Sequence, residues 1–63
     1  MYTLTAFDSN NHVIIQDTGL DMYAAFIGFD IWCDGSLDKY HRIDHITLVD
    51  ETTGEVILSG KVK

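Results

Sequence analysis

Residues 21–35 read DMYAAFIGFDIWCDG, and they carry the start and stop signals of a single apolar helix. Asp21 is a good N-cap residue, and Leu20 before it can pack onto the first turns. At the other end, Asp34-Gly35 is a good stop, because glycine tolerates the left-handed conformation that follows a last helical turn. These signals predict a helix over about residues 22–34, which is an ordinary helix length.

Segments rich in β-forming residues lie on both sides of this helix, in pairs. The segments 2–7 and 12–17 flank a cluster of Asp, Ser and Asn, whose side chains can bond their own backbone and form a turn. The segments 43–49 and 55–62 flank a turn that contains Gly54, which supplies the positive φ of a hairpin loop. We therefore predict a single α+β domain over 1–63, with the order ββαββ and an antiparallel sheet packed on one helix.

The helix side chains separate into faces when they are placed at about 100° per residue. The face expected on the sheet holds Met22, Ala25, Phe26, Phe29 and Cys33, with Trp32 at its margin. A narrow polar edge holds Tyr23, Asp30 and Asp34, and a second apolar face holds Ala24, Ile27, Gly28 and Ile31. Glycine inside a helix also predicts the close approach of another backbone or side chain.

The second apolar face has no obvious cover, because one helix on four strands offers no further layer. An uncovered apolar patch usually marks an interaction site, either with a second copy of the chain or with another protein. The alternative is a loop over residues 36–42 that folds back and covers part of the helix with Leu37 and Tyr40.

Composition restricts the possible partners and locations. The 63 residues carry a net charge of −6, from ten acidic and four basic side chains, which argues against direct nucleic-acid binding. A single cysteine cannot form an internal disulfide and fits a reducing compartment. The first residues do not resemble a signal peptide, and no apolar run approaches the roughly 20 residues of a membrane span. We expect a cytoplasmic protein without a membrane segment.

No group of residues predicts catalysis. His41 and His45 are four apart and share a face at strand spacing, but no third ligand follows, and alternation should point Asp44 the other way. Cys33 lies near the helix C-terminus, where the dipole raises a thiol pKa, so packing is its expected role. We predict no enzyme activity and no cofactor, and a small metal-binding protein using His41 and His45 stays open as an alternative.

The C-terminal half carries a resemblance. The sequence from Tyr40 to Ile57 contains a strand, an acidic turn of the type Asp-Glu-x-x-Gly-Glu and a second strand. With the preceding helix, this layout resembles small proteins common in bacteriophages and integrated mobile elements, although the helix is more apolar than expected for them. The resemblance implies a protein that binds and blocks host machinery, such as restriction or CRISPR nucleases, with its acidic surface imitating nucleic acid.

We therefore predict a non-enzymatic protein-binding module, an inhibitor or modulator of a host protein complex in the host cytosol. The predicted contact residues are Tyr23, Ile27, Ile31 and Trp32, with an acidic rim of Asp30, Asp34 and Asp38 that would steer a basic partner. A homodimer is expected as well. The alternative of another class is a structural homo-oligomer without an inhibitory role.

Overall fold

The computed structural model describes residues 1–35, 37 and 42–62, and it contains one helix packed on a four-stranded antiparallel sheet. The elements in chain order are β1 (Tyr2–Phe7), β2 (Val13–Leu20), α1 (Met22–Cys33), β3 (His45–Asp50) and β4 (Val56–Lys61). This small α+β domain confirms the predicted ββαββ order.

The strands lie in the spatial order β2-β1-β3-β4, so each predicted hairpin supplies one central strand and one edge strand. The central pair is regular, with Leu4 opposite Leu48 and Thr5 opposite Thr47. The edge strand β2 runs three residues beyond the predicted end at position 17. Its pairing with β1 is interrupted after Asp17 and resumes where Leu20 lies opposite Tyr2, and such an irregularity is difficult to read from residue alternation.

Local turn and cap chemistry agrees with the sequence. Asn11 and Gly54 adopt positive φ values of 64° and 76° in the two hairpin turns. The Asp21 carboxylate accepts a 2.8 Å hydrogen bond from the backbone N–H of Ala24, as an N-cap should. Gly35 has φ of 93°, and the helix ends at Cys33, one residue before the predicted end, with Asp34 as its C-cap.

The core lies between the helix and the two central strands. Alternate residues of these strands, Leu4 and Ala6 in β1 and Ile46 and Leu48 in β3, are at most 1% exposed. From the helix only Ala25 is buried to the same degree. The core is therefore narrow, and half-buried side chains around it complete the packing.

The predicted sheet-facing side of the helix was wrong in part. Side chains packed against the core come from Ala25, Phe29, Trp32 and Cys33, whereas Met22 is 62% exposed and Phe26 is 37% exposed. Gly28, expected on the outer face, lies over β1: a Cβ built on it would be 2.7 Å from Cδ1 of Leu4. Because Ala25 and Gly28 are small, the helix approaches the sheet most closely along the side that carries them. These two residues therefore face the sheet, and Met22 is exposed.

Candidate functional site

The side of α1 that faces away from the sheet is exposed and mainly apolar, with Asp30 among its exposed residues. We call this side the outer helix surface and define it by five side chains, which are Met22, Tyr23, Phe26, Ile27 and Ile31. Tyr23 is 77% exposed, and Ile27 and Ile31 are 41% and 46% exposed. The spacing of Tyr23, Ile27 and Ile31 is four residues, which places them in one row along the helix.

The N-terminal half of this surface is only slightly concave. Met22, Tyr23, Phe26 and Ile27 line an open depression whose walls are apolar. Phe26 is held from below by Tyr2 of β1, with the ring centroids 6.2 Å apart and the rings inclined at 68°. An edge-to-face contact of this kind favours one position of the ring. The depression therefore has one wall fixed to the sheet and presents carbon surface to solvent.

The C-terminal end of the helix is acidic. Asp30 and Asp34 line a second, more polar depression together with Cys33 and with Lys61 from β4. Burial raises the pKa of the Cys33 thiol above its ordinary value, and the charges of Asp30 and Asp34 raise it further. A raised pKa leaves less thiolate at neutral pH, so this environment does not activate Cys33 as a nucleophile.

The residues predicted for partner contact fall into three groups. Tyr23, Ile27 and Ile31 lie together on the outer helix surface. Trp32 is half-buried against the core, so it belongs mainly to the inner side of the helix. Asp38 lies outside the described residues, as does Tyr40, whereas Leu37 of the same loop is described and half-buried.

Sequence reasoning missed Met22 and Phe26 as members of the exposed surface. Both were assigned to the sheet because the two apolar faces of this helix are similar in composition. The signal that could have corrected the assignment is Gly28, because a glycine in the middle of a helix indicates the line of closest approach to a neighbour.

The second candidate site centres on His45. Its ring stacks on Phe7 with centroids 4.9 Å apart, and its Nδ1 lies 2.9 Å from Oδ2 of Asp44. The expectation that Asp44 points away from His45 was wrong, because β3 begins at His45 and strand alternation does not reach Asp44. His41 lies outside the described residues. Among the residues that are described, no three His, Cys, Asp or Glu side chains are grouped as metal ligands.

Comparison with known proteins gave no match to a family model, to a curated protein or to a solved structure. Within the described ranges, no helix combines the length and the apolar character that crossing a bilayer requires.

Proposed function

We propose that this chain is a non-enzymatic protein-binding module whose contact surface is the outer helix surface. The observation that carries the proposal is the row of Tyr23, Ile27 and Ile31, each at least 41% exposed, beside the apolar depression. A few well-packed side chains that lose water on association, tyrosine often among them, provide most of the binding energy of an interface. Side chains of this kind that stay exposed lower the solubility of an isolated chain.

The charge of the chain supports a basic partner. Asp30 and Asp34 lie at the C-terminal end of the same helix, and the whole chain carries −6. Complementary charges around an apolar contact accelerate association and select the partner more than they strengthen the complex. Together with the resemblance to bacteriophage proteins, this charge favours a nucleic-acid-binding host protein in the cytosol, such as a restriction or CRISPR nuclease, as the target to be inhibited.

The experiment that tests the proposal replaces Ile27 and Ile31 with aspartate. Both side chains are exposed, so the double variant should stay folded, which circular dichroism will check. We expect the partner captured from host cells by the unmodified chain to be lost, and binding of that purified partner to weaken at least about 30-fold. Removing two central anchors of about 1–2 kcal/mol each would produce a loss of that order.

The matched control is Val13→Asp, which places the same charge on a side chain that is 55% exposed in β2, away from the outer helix surface. This control should bind as the unmodified chain does. Binding that survives both helix substitutions in a folded protein would disprove the proposed surface. Inhibition of a captured nuclease is a separate readout: it should fall in the helix variant in parallel with binding.

A further inference from the structure

Among the described residues, no strand pairs with the outer edge of β4. The strand carries only part of the protection that sheet edges normally have, which is one irregularity at Ile57 in its pairing with β3 and a lysine, Lys61, at its end. It is one of the two outer strands of the sheet. Between Val56 and Gly60 it contains neither proline nor a charged side chain. Val56 and Ile57 are 59% and 39% exposed. An apolar outer strand with unpaired peptide groups is a template for another strand.

The opposite edge carries more of this protection. Pairing of β2 with β1 is irregular at two points, compared with one point in the pairing of β4 with β3, and Gly19 within β2 has a positive φ of 68°. Asp17 is exposed in the middle of this strand. Bulges and charges are the usual devices that prevent an edge from pairing. Of the two edges, β4 is therefore the one suited to accept a further strand.

The free peptide groups of β4 can be assigned from its bonding to β3. Val62 donates a 3.0 Å backbone hydrogen bond to the carbonyl of Asp44. In an antiparallel pair, residues that are hydrogen-bonded to the neighbouring strand alternate with residues that are not. Because Val62 is bonded to Asp44, next to β3, Lys61 and Ser59 are the unbonded residues, and their N–H and C=O groups point away from β3. These groups form the hydrogen-bonding edge that a new strand would meet.

We propose that a second copy of this chain pairs antiparallel along β4 and joins the two four-stranded sheets into one of eight strands. Charge complementarity selects the second copy. The strand is preceded by Glu55 and ends at Lys61, whose side chain is 81% exposed although its Nζ lies 3.9 Å from Oδ1 of Asp44 in the same chain. An antiparallel copy places the acidic end of each strand beside the basic end of the other, and a twofold axis repeats this contact. The pairing uses the strand edge, so both outer helix surfaces stay available for a partner.

The first test is the mass of the chain in solution, with and without Ser59→Pro. Proline at position 59 removes an outward N–H and no bond to β3, which is the arrangement in which an edge strand tolerates proline. Sedimentation equilibrium should give twice the 7.1 kDa of one chain for the unmodified protein and a twofold lower mass for the variant. Circular dichroism will establish that the variant is folded.

A second pair of variants keeps the test decisive if Ser59→Pro does not fold. Val56→Lys charges the β4 edge, whereas Val13→Lys charges a side chain of similar exposure in the other edge strand. We expect Val56→Lys to be a monomer and Val13→Lys to remain a dimer. Glu55→Lys alone should weaken the dimer, and adding Lys61→Glu should restore it, because opposite charges again lie at neighbouring ends of the two strands.

Three outcomes would overturn the inference. The first is an unmodified chain that is a monomer at every concentration measured. The second is a dimer that persists in the folded Ser59→Pro and Val56→Lys variants. The third is a dimer that dissociates on Ile27→Asp while Val56→Lys leaves it intact, because that result would place the contact on the outer helix surface.

Discussion

Gly28 fixes how the helix lies on the sheet. Its missing side chain leaves room for Leu4, whose Cδ1 would be only 2.7 Å from an added Cβ. Leu4 is 1% exposed and has core neighbours on its other sides, so it has little room to withdraw. One residue without a side chain therefore determines which of two apolar helix faces is buried and which is exposed.

We predict that Gly28→Ala destabilises the protein by about 1 kcal/mol. Alanine is the better helix former by about 1 kcal/mol, but forcing a methyl group into a packed core typically costs about 1–3 kcal/mol. Urea unfolding of the two proteins will measure the difference. The control is the same substitution in a Leu4→Val background, which lacks the Cδ atoms, and there Gly28→Ala should be stabilising. A gain in stability in the unmodified background would show that the helix does not lie this close to β1.

At the scale of elements, Glu51 connects the turn after β3 to both strands of the first hairpin. Its Oε2 accepts hydrogen bonds from the backbone N–H of Gly19 at 2.7 Å and from the hydroxyl of Thr3 at 2.8 Å. Both hydrogen bonds lower the pKa of the carboxyl below its ordinary 4.5, and the bond from Gly19 has the larger effect. The carboxylate thus joins three strands at one end of the sheet.

We predict that Glu51→Gln lowers the free energy of unfolding at neutral pH. Because the folded pKa lies below 4.5, the stabilisation by the charge is fully present above 4.5 and is lost as the pH falls through the folded value. The difference between the unmodified chain and the variant should therefore shrink on acidification, which urea unfolding at a series of pH values will measure. Asp17→Asn, an exposed carboxylate of β2, is the control. A pH-independent difference would contradict the assigned role of the charge.

The elements also show what could be predicted from the sequence and why. The helix bounds follow from Asp21 and Gly35, because caps act on backbone groups within a few residues. The hairpin turns follow for the same reason from Asn11 and Gly54. The buried helix face does not follow, because it depends on Leu4, which lies far away in sequence, and because Met22 and Phe26 are as apolar as the residues that are buried.

The residues of the candidate site could also be predicted only in part. Helical spacing predicts Ile27 and Ile31 on the second apolar face and Tyr23 on the polar edge beside it, and all three side chains are exposed. Trp32 was assigned to the contact set, but its large ring packs against the core. Asp44 was expected to point away from His45, and it lies beside that ring because the strand begins only at His45.

The described residues form a small core and two exposed apolar surfaces. Only five apolar residues are buried, whereas nine large apolar side chains are exposed among the described residues. A chain of this size buries a small fraction of its surface, so association is a natural source of additional stability. In our account, the β4 edge joins two copies and the outer helix surfaces bind the partner, which gives each dimer two equivalent contact surfaces and the avidity that follows from them.

The surface that binds the partner can be located by hydrogen–deuterium exchange of the chain, alone and in complex with the partner it captures. Amide exchange reports protection along the backbone, so the contact surface can be located without any substitution. We predict that partner binding slows exchange over residues 22–34, with the largest effect between Tyr23 and Ile31, and leaves the β1–β2 turn around Asn11 unchanged. Unaltered exchange in the helix, with new protection confined to the turns or to the sheet, would contradict the account.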